Sequence, residues 1–273
     1  MLVRDRRVLW LRLVILLATF TLPAAAQQAS PFTTTHWSVE KAVAYPADAF
    51  PQSVPDEEKR GCAGATVRQL GSDARHYATG LRRLPAAIVS PSNLKWEVPV
   101  AVSTIVLIEA VDVHAARQFD RGSGTTAADN ASNILLGTQF GAAALTYLAG
   151  CTGDRSHARR AGFAAMEAAG YGLAADLVLK AAFNREYPTT GTGEGRFWHG
   201  GKSFPSGHAT TSWAIASALA HEYPQKRWVK WTAYGAATGV SLLRVAALKH
   251  FPSDIVVGGT LGYVTGAWLG GNR

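Results

Sequence analysis

Lys202-Ser-Phe-Pro-Ser-Gly-His208 runs without a break into Ala209-Thr-Thr-Ser-Trp-Ala-Ile-Ala-Ser-Ala-Leu-Ala220, and this stretch decides the fold. A Pro-Ser-Gly turn feeding a long Ala-rich apolar run, with no strand-like alternation, reads as the start of a helix. Ser206 offers an N-cap hydroxyl, Gly207 an unhindered amide and His208 an imidazole. They meet where free N–H groups and the helix dipole favour an anion, and phosphate is the obvious one. The same residues also make an ordinary turn and cap. The segments on either side must decide between the two readings.

Outward from that stretch, apolar runs separated by short polar turns continue in both directions. They predict helices over 96–117, 128–149, 156–183, 207–222, 226–249 and 254–269. The expected fold is all-α, a single helical bundle of about six core helices. The bundle is assigned to residues 96–273, and its neighbours should be mostly antiparallel because the connections are short. Residues 27–95 are punctuated by Pro31, Pro46, Pro51, Pro55, Pro85 and Pro91 and read as an irregular N-terminal arm with one short helix near 63–75. Several of the bundle helices are long enough to span a membrane. They carry Glu109, Asp112, Glu167, Asp176, Lys180 and Arg244, however, and charge at the centre of a span is costly. That argues for a soluble bundle or one in peripheral contact with a membrane.

Residues 1–26 have the layout of a signal peptide: a basic opening with Arg4, Arg6 and Arg7, an apolar run from Leu13 to Leu22, and Ala24-Ala-Ala26 as a small-residue cleavage site. Arg12 keeps the apolar run too short for a membrane anchor. The expected location is therefore exported, periplasmic or otherwise extracytoplasmic, with membrane association left open. The formal net charge of +8 favours anionic partners such as phosphoesters or an anionic lipid surface. No basic run with interleaved aromatics points to nucleic acid. Cys62 and Cys151 have no metal-ligand spacing; they could pair in an oxidising compartment or be two unrelated thiols.

Two further segments carry chemistry-bearing residues. Lys180 opens Lys-Ala-Ala-Phe-Asn-Arg-Glu-Tyr-Pro188, and its plain reading is an ion pair with Asp176 one helical turn earlier. Arg244-Val-Ala-Ala-Leu-Lys-His250-Phe-Pro-Ser-Asp254 brings an arginine, a histidine and an aspartate to the junction of two helices. Pro252 disfavours helical geometry at Phe251, so His250 is held at the break and Asp254 begins the next helix. A carboxylate there can hold one imidazole nitrogen and leave the other free.

Together these three segments resemble the type 2 phosphatidic acid phosphatase and vanadium haloperoxidase superfamily. That family is marked by Lys, six residues, Arg-Pro; by Pro-Ser-Gly-His; and by Ser-Arg, five residues, His, three residues, Asp. The present sequence has Lys180, six residues, Tyr187-Pro188; Pro205-Ser206-Gly207-His208; and Leu243-Arg244, five residues, His250, three residues, Asp254. The resemblance covers about residues 156–270. It implies a phosphatase acting on a phosphomonoester or diphosphate, with a phosphorylated lipid or a small phosphoester as substrate and no metal or other cofactor. His250 is then the nucleophile, His208 the acid and base, and Asp254 the support of His250. Lys180, Ser206, Gly207 and Arg244 hold the phosphate. The family arginine is replaced by Tyr187, which leaves a weaker anion clamp unless Arg185 or Lys202 contributes.

Two alternatives stand beside this reading. One is a vanadium-dependent haloperoxidase, the only reading that requires vanadate; the other is a non-catalytic relative that binds phosphate-bearing lipid. The loop Gly191–Gly201 is either a rim offering Phe197 and Trp198 to substrate or a surface loop whose aromatics dock on the bundle. His36, His76, His114, His157 and His221 have no partner pattern, and neither does Asp112.

Overall fold

The computed structural model of the protein describes residues 61–88, 91–119, 124–152 and 155–271. The signal peptide expected over residues 1–26 and the first half of the expected arm lie outside the described residues. Among the described residues there are helices and turns and no strand. In chain order they are α1 (Cys62–Ile88), α2 (Pro91–Val106), a π-turn (Leu107–Val111), α3 (Asp112–Phe119), α4 (Thr125–Thr152), α5 (Ser156–Phe183), α6 (Gly207–Glu222), α7 (Arg227–Ala246) and α8 (Pro252–Gly271).

The all-α expectation is met, and the helices from 156 onward begin and end within a few residues of their expected limits. The arm is different. Residues 62–88 form one continuous helix where an irregular segment with a short helix was expected. Cys62 at the start of α1 is disulfide-bonded to Cys151 at the end of α4, which resolves the two open readings in favour of pairing. Beside the disulfide, the Thr66 hydroxyl and the Tyr147 phenol lie 3.1 Å apart.

The buried centre is α6, enclosed by α5, α7 and α8. Ala209, Ala214, Ala216 and Ala218 on it are fully buried, so the helix is lined by side chains that permit close approach. The reciprocal surface is a glycine column on α8: a Cβ at Gly258, Gly262, Gly266 or Gly270 would run into the backbone of Ser206, Thr210, Ala214 or Ala218. Glycines four residues apart on one face let the two backbones touch. This contact fixes the N-terminus of α6 beside the N-terminus of α8. The ends of α5 and α7 meet them at the same end of the bundle.

The charge argument against membrane spans does not exclude them. Helical segments 97–119, 125–152 and 156–183 are each long and apolar enough to cross a membrane. Asp112, Glu167, Asp176 and Arg244 are buried inside the bundle, and Glu109 alone of the charges counted earlier is exposed on an outer helix face. Inward-facing charge of this kind is what bundles in lipid tolerate. The outer face of α4 carries Ile134, Leu145 and Leu148, all more than half exposed.

Candidate active site

α5 ends at Asn184, which adopts a left-handed conformation (φ 42°) and closes the helix with its N–H on the Lys180 carbonyl. This ending points Lys180 toward the start of α6. Its ammonium is 3.4 Å from Asp176 and donates to the Pro205 carbonyl. The ion pair expected for Lys180 is therefore present, and it leaves the ammonium beside the start of α6. Ser206 caps α6, its hydroxyl accepting from the Ala209 N–H at 3.4 Å, and its own N–H donates to the Asp254 carbonyl at 3.0 Å. That second bond stitches the phosphate turn to the first turn of α8.

A cavity of 630 Å³ opens at this end of the bundle. Lys180, Gly207, His208, Arg244 and His250 line its floor, with Tyr187, Lys202 and Lys249 around them. One wall is apolar: Leu136 and Phe140 from α4 face Leu173 and Leu177 from α5. Lys180, Gly207, His208, Arg244 and His250 are thus brought together as expected. Ser206 and Asp254 do not line the cavity; both are fully buried behind it.

His250 is buried, and its Nδ1–H donates to the Ser203 carbonyl at 2.7 Å, which leaves Nε2 for the cavity side. The nearest Asp254 oxygen is 3.6 Å from Nδ1, too long for a hydrogen bond. Asp254 instead accepts from the Ser203 hydroxyl and from the Phe251 N–H. The carboxylate therefore supports the imidazole as a nearby charge and through Ser203, where the sequence pointed to a direct contact. Burial holds the His250 imidazole below the ordinary histidine pKa, against the opposing pull of Asp254. Burial opposes ionisation of Asp254, yet the Arg185 guanidinium and the Ser203 hydroxyl keep its carboxyl below the usual value.

His208 stands in the first turn of α6 with Nε2 2.7 Å from the Asn133 side-chain oxygen. Its pKa is pushed down to about 4, by burial first and then by the charges of Arg244 and His250, while Asp129 pulls the other way. Arg244 donates to Asp129 at 2.5 Å and to the Ser132 hydroxyl at 3.2 Å. Lys249 is 3.4 Å from the same carboxylate. Asp129, Ser132 and Asn133 were missed by the motif reading because they lie on a helix outside the three motif segments. The one available signal was Asp129 as the only charge in the 28 residues of α4.

Arg185 does not reach the cavity. It is 1% exposed, donates to Asp254 and Asp112, and is sandwiched between the rings of Phe197 (4.7 Å) and Phe251 (4.3 Å). The auxiliary phosphate contact considered for it is not made. Gly195, at φ 63°, supplies the carbonyl for Arg185 Nε, and a Cβ there would strike the Phe251 ring. Tyr187 fills the cavity wall with its ring 6.3 Å from that of His250. Lys202 is an exposed cation at the mouth. The loop aromatics dock: Phe197 packs edge-on against Phe183 and Phe204, and the Trp198 indole donates to the Ala182 carbonyl. Neither lines the cavity. Among the described residues, no group of three His, Cys, Asp or Glu is placed to hold a metal ion.

Comparison with known proteins gives three findings. No curated protein matches the chain. A solved structure, the transmembrane PAP2-type phosphatidylglycerolphosphate phosphatase from Bacillus subtilis, is similar at 19% identity, with a TM-score of 0.42, covering 62% of this chain and 90% of that one. Residues 161–270, which contain Lys180, Pro205-Ser206-Gly207-His208, Arg244, His250 and Asp254, match the model of the PAP2 superfamily. Five of those residues, Lys180, Gly207, His208, Arg244 and His250, meet at one cavity, and over residues 161–270 the chain is similar to the PAP2 superfamily.

Proposed function

We propose that the protein is a phosphatase that hydrolyses a phosphomonoester or diphosphate of a lipid through a phosphohistidine at His250, without a metal or other cofactor. The observation that carries this is the His250 Nδ1–H bond to the Ser203 carbonyl, which fixes the tautomer and leaves Nε2 as a lone-pair nucleophile facing the cavity. Nε2 attacks phosphorus, the N–P bond forms and the bond to the leaving oxygen breaks. His208 gives that oxygen its proton. Water then attacks the phosphohistidine as His208 takes a proton from it, the N–P bond breaks and phosphate leaves. Lys180, Arg244 and the amide end of α6 hold the phosphoryl oxygens, where positioning and electrostatics do most of the work.

A lipid substrate is supported by the apolar wall of Leu136, Phe140, Leu173 and Leu177, of which Leu173 is 42% and Leu177 57% exposed. An apolar chain attached to the phosphate would cover them. We further propose an exported, membrane-associated protein. The Cys62–Cys151 disulfide supports an oxidising compartment. It joins the end of α4 remote from the cavity, about 33 Å from Asp129 along the helix at the usual rise. Disulfide and cavity therefore share one compartment only when α4 lies along the bilayer surface and does not cross it.

The test is phosphate release from lipid and soluble phosphoesters by wild type and His250→Ala, with acid-quenched trapping of the phosphoenzyme. Loss of turnover and of the trapped species in the variant is expected. Turnover by His250→Ala would refute the reading, and a wild type equally active on soluble esters would remove the lipid assignment.

A further inference from the structure

The nucleophile's support reaches beyond the segment that matches the superfamily. Asp112, the first residue of α3, is fully buried. Its Oδ1 accepts from the Ser253 N–H at 3.0 Å, and its Oδ2 accepts from the Ser253 hydroxyl and, at 2.8 Å, from Arg185 Nη2. Arg185 Nη1 in turn donates to Ser253 Oγ at 2.7 Å and to Asp254 Oδ1. A side chain from α3 thus caps the N-terminus of α8 and pins the far side of the guanidinium that grips Asp254.

Local backbone geometry explains how Asp112 comes to face inward. Thr104 and Ala116 are buried on the same outer segment. Eight residues of regular α-helix would leave Asp112 about 80° away from the Thr104 face. The π-turn at Leu107–Val111, closed by the Asp112 N–H on the Leu107 carbonyl, widens one turn and takes up that rotation. Asp112 and Ala116, one turn apart, then both point at the bundle.

We propose that Asp112 is a positioning residue for the His250 nucleophile, acting through Arg185 and Asp254, and that it sets the net charge of the buried group behind the imidazole. This rests on the phosphohistidine reading. When Nε2 bonds to phosphorus the ring keeps its Nδ1 proton and becomes cationic. Behind it stand Asp112, Arg185 and Asp254, two negative charges and one positive, so one negative charge remains to stabilise that cation. Without Asp112, Arg185 cancels Asp254 and nothing remains. The arginine itself cannot move away, because Phe197 and Phe251 cover both faces and Gly195 holds Nε.

The experiment compares wild type, Asp112→Asn, Arg185→Gln and His250→Ala in kcat, KM and the acid limb of kcat/KM, where protonation of His250 removes the nucleophile. The other groups facing His250 are unchanged in the Asp112 and Arg185 variants: Lys180 from α5, His208 from α6, Arg244 from α7, Asp254 from α8 and Tyr187 from the loop. Asp112→Asn should lower kcat roughly 10- to 100-fold, leave KM within about twofold, and move the acid limb down by about one pH unit, as loss of one nearby charge requires. Arg185→Gln, which leaves two negative charges, should move the limb upward, so either variant tests the idea if the other does not fold. Lower thermal stability with an unmoved limb in both would overturn the inference and leave Asp112 a structural cap. Turnover by His250→Ala would instead overturn the phosphohistidine reading beneath it.

Discussion

Gly262→Ala perturbs the contact that sets the active-site geometry. A Cβ at Gly262 would lie 2.8 Å from the Thr210 carbonyl carbon and 2.9 Å from the Ala214 nitrogen, and closer still to the Thr210 oxygen. Ordinary contacts begin near 3.5 Å, so α6 and α8 must part by about 1 Å or more to clear that oxygen. The obstruction is backbone on both sides, and no rotamer change relieves it. Overpacking of this kind costs about 3 kcal/mol at the upper end of its range, offset by about 1 kcal/mol from the better helix propensity of alanine. The net loss of about 2 kcal/mol corresponds to a fall of about 4–8 °C in Tm for a chain of this size. The displacement also reaches the chemistry, because Thr210 is one turn from Ser206, whose N–H bonds the Asp254 carbonyl at 3.0 Å. Phosphatase activity should therefore drop even at temperatures where the variant is folded. Gly235→Ala is the control: a Cβ there meets nothing within 4 Å, and the same substitution should stabilise by up to about 1 kcal/mol. Thermal unfolding and phosphate release measured on both variants decide the matter. If Gly262→Ala melts and turns over like wild type, the backbone contact between α6 and α8 does not govern the site.

The low pKa of His208, about 4, sets the direction of the pH dependence. A depressed imidazole pKa means that the proton is lost early as pH rises, so the general acid is depleted and kcat/KM should fall from about pH 4 upward. Bound phosphate dianion favours the imidazolium, so the corresponding limb in kcat should lie at higher pH; rate profiles between pH 4 and 8 in which kcat/KM rises throughout would contradict this role for His208. Tyr187→Arg returns a permanent charge to the cavity wall and should tighten vanadate inhibition by about tenfold or more, the value of one charge-assisted hydrogen bond. An unchanged inhibition constant would mean that an existing cation already occupies that place.

What was legible in the sequence is what lies close along the chain. The Ala-rich run after Gly207 gave α6, Pro252 gave the break that holds His250, and the spacing from Arg244 to Asp254 gave one corner of the cavity. Each rests on local geometry that a short stretch of residues determines. The partners of those residues were not legible, because they come from helices with no motif of their own. Asp129, Ser132 and Asn133 hold Arg244 and His208 from α4, and Asp112 reaches the site only because a π-turn rotates it inward. Charge pattern alone could not show direction: Asp112 and Asp176 looked like a cost to a membrane span, and both are buried in the bundle. Arg185 misled for a related reason. Two residues from the missing family arginine it invited a phosphate role, whereas the turn after Asn184 sends it behind Asp254.

The replacement of that arginine by Tyr187 acquires a different meaning once the cavity's charges are set side by side. Lys180, Lys202, Arg244 and Lys249 face the cavity. Asp176 pairs with Lys180, and Asp129 pairs with both Arg244 and Lys249. Four cations against two carboxylates leave two positive charges, which match a phosphate monoester dianion. A further arginine would bring the excess to three and bind the released phosphate as strongly as the ester. Binding that does not distinguish substrate from product slows release without helping the chemical step. On this balance the clamp that looked deficient from its motif carries the charge that the proposed phosphatase needs, and the neutral Tyr187 ring takes the arginine's place on the cavity wall, 6.3 Å from the His250 ring.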